Sequence, residues 1–205
     1  MYNFCFYIIK LVQKIINGKI KVYGLNNIPP KEKIILVAPH RTWWDPIIFA
    51  IILLPKKFLF MGKKELFKNK LFGSILKKIG VFPVNRKRPG PSAIKIPVRE
   101  LRNNRKNFII FPSGSRHSKK LEPGVAVIAK MSGKKIIPVI YQGPLVFNKL
   151  FKRKNIKVRF GSPIKINKKE KNSIILSKIN DDFNYLDKIT NPNWKYIDPH
   201  PNIKK

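Results

Sequence analysis

The segment Pro39-His40-Arg41-Thr42-Trp43-Trp44-Asp45 places a histidine and an aspartate five positions apart, directly after the apolar run Ile34 to Ala38. Histidine is the side chain whose ordinary pKa lets it take and return a proton near neutrality. A carboxylate beside one ring nitrogen fixes the tautomer, so the other nitrogen can act as a general base and the resulting imidazolium is stabilised. Asp45 followed by Pro46 reads as the N-cap and first residue of a helix. On that reading one carboxylate oxygen serves backbone amides and the other the His40 Nδ1–H, with Nε2 turned outward. The bland alternative leaves Asp45 as a cap and His40 as a loop residue.

Two further segments could serve a reaction at His40. Phe111-Pro112-Ser113-Gly114-Ser115-Arg116-His117-Ser118 also follows an apolar run. Its small and hydroxyl residues, Ser113, Gly114 and Ser115, let a ligand approach the backbone, and Arg116 offers a planar fork to a phosphate. Gly80-Val81-Phe82-Pro83-Val84-Asn85-Arg86 ends in a second arginine, so Arg86 and Arg116 can converge on one anion. An ordinary polar turn is the alternative for each.

These loops need a scaffold that brings them together. The apolar runs Ile20 to Tyr23, Ile34 to Ala38, Val81 to Val84, Phe108 to Phe111, Ile136 to Tyr141 and Ile156 to Phe160 read as strands between longer helical stretches, which is an α/β pattern. Reactive groups of such folds collect at the carboxyl ends of the strands. Predicted helices run from Asp45 through Leu54, apolar all round, from Lys64 to Ile79, from Ser92 to Arg105 and from Gly124 to Met131. The second carries Phe67, Leu71, Ile75 and Ile79 on one stripe, with Gly80 as its stop. A last stripe of Ile175, Ile179, Phe183 and Leu186 precedes a Pro- and Asn-rich tail.

Residues 1–17 form a different element. As a helix they gather Asn3, Lys10, Gln13, Lys14 and Asn17 within about a third of the circle, leaving an apolar remainder rich in aromatics. This predicts a helix lying in a lipid interface, with Phe4, Phe6, Tyr7, Ile8 and Leu11 dipping inward; docking on the protein's own core is the alternative. The segment lacks a basic leading region and a small-residue cleavage site, so it does not read as a removable signal. No run reaches the roughly 18 apolar residues needed to cross a bilayer.

The composition limits the partners. The 205 residues are 43% hydrophobic, enough for one cored domain, and 44 Lys and Arg against 10 Asp and Glu give a net charge of +34. Lys, Ile and Asn are over-used together, so the sign carries the argument more than the magnitude. A positive surface fits an anionic membrane, a phosphorylated substrate or nucleic acid. The single cysteine, Cys5, excludes internal disulfides, and three histidines leave little scope for a zinc cluster. No metal or cofactor is expected.

Taken together, the segments resemble the glycerophospholipid acyltransferase family, most closely its bacterial 1-acyl-glycerol-3-phosphate branch. The resemblance runs from Val22-Tyr23-Gly24-Leu25-Asn26-Asn27-Ile28-Pro29 to Phe160-Gly161-Ser162-Pro163-Ile164. Its first block matches at His40 and Asp45, its second at Gly80 to Arg86, its third at Phe111 to Arg116 and its fourth at Ile136, Ile137 and Pro138. The resemblance implies His40 as general base, Asp45 as its orienting partner and Arg86 as a phosphate ligand. Ser113 stands where the family usually has glutamate, and Pro39 where asparagine is common.

The expected fold is therefore a single α/β domain with a mixed, largely parallel sheet flanked by helices, plus the N-terminal amphipathic interfacial helix. Residues 1–18 would be that helix, 19–166 the catalytic domain and 167–205 a C-terminal helix and polar tail. The expected reaction moves an acyl group from acyl-ACP or acyl-CoA to the sn-2 hydroxyl of lysophosphatidic acid, giving phosphatidic acid at the cytoplasmic face of the membrane. Asn85, Arg86, Ser113, Gly114, Ser115 and Arg116 would bind substrate, and Trp43 and Trp44 would anchor the mouth of the site at the headgroups, unless they are core. Other acceptors, glycerol-3-phosphate or another lysolipid, remain open. A basic nucleic-acid-binding protein lacks any zinc-finger, KH or RNP signature here, and a serine hydrolase lacks the G-x-S-x-G elbow.

Overall fold

A computed structural model describes residues 1–85, 88–114, 120–152 and 155–199. Helix α1 (Tyr2–Asn17) leads into strands β1 (Lys21–Tyr23) and β2 (Ile35–Val37), then α2 (Asp45–Ile52), β3 (Phe58–Lys63), α3 (Lys70–Lys78) and β4 (Val81–Val84). Next come α4 (Ser92–Arg102), β5 (Asn107–Ile110), α5 (Gly124–Ser132), β6 (Ile136–Gln142), β7 (Lys157–Phe160) and α6 (Asn172–Thr190).

The strands form one seven-stranded sheet in the order β1-β7-β6-β2-β5-β3-β4. Every neighbouring pair is parallel except β6 with β7. The sheet is thus mixed and largely parallel, as expected. The central strands are apolar on both faces because both faces are covered. Along β2, Leu36 joins one apolar cluster with Tyr2, Phe6, Phe49 and Phe58, while Ile35 and Val37 join the opposite one with Leu101, Ile128, Ile175 and Phe183. The helices α1 and α2 therefore pack on one side, and α4, α5 and α6 on the other. The predicted stripe Ile175, Ile179, Phe183 and Leu186 of α6 is fully inward.

Strand β3 was not anticipated. Its run Phe58-Leu59-Phe60-Met61-Gly62 is short and bracketed by lysines, which disguises a strand buried between β5 and β4. Asn107, completely buried, pins the sheet there: its Oδ1 accepts the Ile34 amide at 3.1 Å and its Nδ2 donates to the Lys57 carbonyl at 3.0 Å. The predicted helix over Lys64 to Ile79 is split. A 3-10 turn occupies Lys64–Phe67, and α3 starts afresh at Lys70, because Asn69 caps it by accepting the Phe72 amide at 3.0 Å. Its stripe points inward only at Ile79: Leu71 and Ile75 are exposed, and Gly73 makes the close approach to Phe67. The helix predicted to reach Arg105 ends at Arg102, where Asn104 takes a positive φ of 52°.

Candidate functional site

Because β2, β5, β3, β4 and β6 run the same way, their carboxyl ends share one rim, and the chain leaves β2 there through Ala38 and Pro39 into His40. Asp45 opens α2 but does not cap it. The N-cap position belongs to Trp44, which makes no side-chain cap bond. The Asp45 carboxylate instead turns back into the preceding loop. Its Oδ2 accepts the amides of Arg41 at 2.7 Å and Thr42 at 2.8 Å, and its Oδ1 accepts the Thr42 hydroxyl. A fully buried carboxylate is tolerable only when its charge is met by donors in this way.

His40 Nδ1 lies 3.5 Å from Asp45 Oδ2. That nitrogen is buried and carries no hydrogen bond, while 12% of the side chain stays exposed through the rest of the ring. The carboxylate thus acts on the imidazole mainly through charge, at a distance that must shorten before a hydrogen bond forms; such contacts commonly tighten when substrate binds. Phe111, just past β5, packs against the ring, with centroids 4.3 Å apart at 31°.

Arg41 escaped the sequence reading. Its buried guanidinium donates to the Tyr141 carbonyl at 2.6 Å and to Asp187 Oδ1 at 2.9 Å, while its second terminal nitrogen reaches Asp187 Oδ2. Trp194 lies beneath it, 4.6 Å from ring centre to guanidinium carbon. Gln142 adds a bond from Nε2 to Asp187 Oδ1 at 3.0 Å. The loop carrying His40 is therefore tied to α6 and to the tail beyond it. Thr42, which grips Asp45, was missed as well. The available signal was burial: an arginine and a threonine between a buried strand and a buried helix need partners, and this chain has only 10 acidic residues to offer.

The other expected site residues fall into three groups. Asn85 sits past the end of β4, its Oδ1 accepting the Arg88 amide at 3.4 Å. Ser113 is buried and Gly114 takes a positive φ of 63° in a turn whose amide donates to the Phe111 carbonyl at 2.9 Å, so both stand directly past β5, beside the Phe111 that touches His40. Arg86, Ser115 and Arg116 lie outside the described residues.

Among the expected interfacial residues, Phe4, Tyr7, Ile8 and Leu11 are exposed on α1, and Trp43 is 53% exposed. Phe6 and Trp44 are core instead. Phe6 stacks on Tyr2 at 4.5 Å and faces Phe60 at 6.2 Å. Trp44 donates its indole N–H to the Tyr141 hydroxyl at 3.2 Å and meets Trp43 edge-on. The inward side of α1 covers the sheet, which leaves no freedom for Phe6 to reach outward.

A groove of about 640 Å³ lies between the segment after β6 and the C-terminal tail, lined among others by Gln142, Leu145, Lys149, Lys157 and Trp194. It adjoins the Arg41 anchor rather than His40. Among the described residues no three His, Cys, Asp or Glu side chains gather to hold a metal, and no helix is long and apolar enough to cross a membrane.

Comparison with known proteins gives this geometry a family. The model of the Acyltransferase family matches residues 19–142. A 1-acyl-sn-glycerol-3-phosphate acyltransferase of Streptococcus pneumoniae is 41% identical over 197 residues, spanning 89% of this chain and 75% of that protein. One of Bacillus subtilis is 40% identical over 163 residues, spanning 78% of this chain and 81% of its own length. The fold is similar to the crystal structure of the 1-acyl-sn-glycerophosphate (LPA) acyltransferase from Thermotoga maritima, with a TM-score of 0.65 at 18% identity over 87% of this chain and 76% of the other. With a buried carboxylate set against a rim histidine, a family model matched over residues 19–142 and two relatives at 40% identity or more, this chain belongs to the acyltransferase family of enzymes.

Proposed function

We propose that this enzyme acylates 1-acyl-glycerol-3-phosphate, the reaction named for its relatives, with His40 as general base. The observation that carries the proposal is the His40–Asp45 contact of 3.5 Å at the carboxyl rim of the sheet. His40 takes the proton of the acceptor hydroxyl, at sn-2, as that oxygen attacks the carbonyl of an acyl thioester. The tetrahedral adduct collapses, the carbon–sulfur bond breaks, and the imidazolium returns its proton to the thiolate. No acyl-enzyme is needed.

General-base catalysis supplies roughly 10² to 10⁴ in rate. Holding two reactants in line contributes about 7 to 11 kcal/mol. Positioning is thus the larger effect, and in this proposal it falls to Arg86 and Arg116 on the acceptor phosphate, with Asn85, Ser113, Gly114 and Ser115 framing the approach. The outward apolar face of α1, bearing Phe4, Tyr7, Ile8, Leu11 and Ile15, lies in the cytoplasmic leaflet and delivers a lipid acceptor to the rim. In this organisation residues 1–18 dock, 19–166 catalyse and 167–205 brace the site through Asp187. The positive charge attracts either coenzyme A phosphates or an acidic acyl carrier protein.

The test is acyl transfer by the purified chain to lysophosphatidic acid and to glycerol-3-phosphate, each with acyl-CoA and acyl-ACP. Preference for lysophosphatidic acid, sn-2 product and loss of turnover in folded His40→Ala are expected. A His40→Ala protein that turns over normally overturns the mechanism, and preference for glycerol-3-phosphate overturns the acceptor.

A further inference from the structure

Helix α3 turns its apolar face away from the protein. At about 100° per residue, Leu71, Phe72, Ile75 and Ile79 fall within roughly 100° of arc, yet only Ile79 packs inward. Leu71 is 75% exposed, Phe72 47% and Ile75 45%. The side that meets the protein is led by Gly73, where an added Cβ would come within 3.3 Å of the Phe67 backbone, with half-buried Leu76 and Ile79 next to it. A helix whose one fully buried residue is a glycine, while a leucine, a phenylalanine and an isoleucine stand exposed, departs from the arrangement of an ordinary surface helix. Leu66, on the 3-10 turn before it, is exposed too. The same segment carries six exposed lysines, Lys63, Lys64, Lys68, Lys70, Lys77 and Lys78, with Glu65 its single acidic residue.

The carboxyl end of α3 lies near the buried start of α1. Two residues past α3, a Cβ on Gly80 would lie 3.6 Å from the Tyr2 ring, and Ile79 packs in the cluster that contains Tyr2 and Phe6. We propose that α3 is a second docking element for an anionic bilayer, inserting Leu71, Phe72 and Ile75 between headgroups that its lysines neutralise. Aliphatic and aromatic side chains accompanied by exposed lysines on a short amphipathic helix match the chemistry of such an interface, and the excess of positive charge over the single Glu65 favours an anionic lipid surface over an apolar protein partner. The inference extends the docking proposed for α1 and rests on it for the identity of the surface. With α3 as a second point of contact, the molecule is fixed against rotation about the α1 axis, which a single helix in the interface does not achieve.

The experiment uses the full chain with an environment-sensitive fluorophore on Phe72→Cys or, separately, Leu11→Cys, both in a Cys5→Ser background. Vesicles contain phosphatidylglycerol with phosphatidylcholine, or phosphatidylcholine alone. Both labels are expected to shift to the blue with anionic vesicles, and raised salt to weaken the shift. Flotation of Leu71→Ser/Phe72→Ser/Ile75→Ser should show at least about tenfold weaker partitioning at unchanged circular dichroism, since three sizeable apolar side chains are removed from the contact. A blue shift at position 11 with none at position 72 overturns the role of α3 and leaves that of α1 standing. Silence at both positions overturns docking altogether. A shift at position 72 driven by protein concentration without vesicles, or by acyl carrier protein without vesicles, assigns the patch to a second copy or to the donor and overturns the bilayer.

Discussion

Arg41, the neighbour of His40, is paired through both terminal nitrogens with Asp187 on the last helix, 146 residues further along the chain. Arg41 is buried and Asp187 half-buried, and the arginine also holds the Tyr141 carbonyl, so loss of Asp187 strands a buried charge. Removing one member of a buried ion pair strands the other charge, at a typical cost of about 3–5 kcal/mol. Asp187→Ala is expected to lose stability on that scale in denaturant unfolding and to lower kcat as the His40 loop shifts. Asp187→Glu should recover part of both, and Arg41→Lys less, because a lysine ammonium cannot reproduce the two-point contact. Unchanged unfolding and kcat in Asp187→Ala contradict the anchor.

The Asp45 carboxylate has two duties that substitution can separate. It holds the loop through the amides of Arg41 and Thr42, and it sets a negative charge beside His40. Asp45→Asn keeps a carbonyl oxygen for the amides and removes the charge, so activity should fall by roughly 10² to 10⁴, the scale of general-base assistance, with the smaller effect on unfolding. Asp45→Ala should lose both, because two buried amides are left without an acceptor at about 1–3 kcal/mol each. Thr42→Val tests the hydroxyl alone, with a modest loss in each measurement. Equal activity of Asp45→Asn and wild type contradicts the role of the charge.

The contrast between these residues shows what a sequence reveals. His40 and Asp45 stand out because their types carry chemistry at a spacing that local structure can close. The strands around them stand out because a run such as Ile34 to Ala38 has no other way to hide. Arg41 and Asp187 carry the same weight in the fold, yet their contact depends on α6 returning to the end of β6, which no local pattern encodes. Strand β3 was hidden because lysines bracket it, and the outward face of α3 because an apolar stripe reads the same whether it meets a core or solvent. For α3 the deciding residue was Gly73, whose missing side chain lets the opposite face of the helix approach Phe67.

Tyr2 joins α1 to the sheet, its hydroxyl accepting the Phe58 amide at 3.0 Å. Burial pushes its phenol from 10.0 up to about 12, the bond from Phe58 pulling the other way. A raised folded-state pKa means that the protonated form is favoured in the folded chain. Its stabilisation is complete below pH about 10 and is lost as pH rises towards 12, because the unfolded chain ionises first. At neutral pH Tyr2→Phe should be less stable by about 1–3 kcal/mol, the cost of an orphaned buried amide. That gap should narrow between pH 10 and 12, where only the wild type has this phenol to ionise. Ultraviolet titration of tyrosinate should also lose one late-ionising group. A gap that stays constant through this range contradicts the assignment.

Gly80 sits where α3 hands over to β4, and its backbone adopts a positive φ of 91°. Its carbonyl accepts the Phe60 amide at 2.9 Å, which sets the register of β4 on β3. A Cβ there would stand 2.4 Å from the Phe58 carbonyl oxygen, a backbone atom that cannot rotate away. Gly80→Ala therefore combines conformational strain of about 1–2 kcal/mol with a clash relieved only by moving β3, the strand whose amide at Phe58 holds Tyr2. The expected loss exceeds about 2 kcal/mol in denaturant unfolding, with α1 loosened alongside β4, read as faster hydrogen exchange at the amides of both elements. Gly90 is the control: an added Cβ there meets nothing within 4 Å. Gly90→Ala should be neutral or stabilising by about 0.4–1 kcal/mol. Equal behaviour of the two variants would mean that the turn yields without disturbing β3, and that α1 is held independently of it.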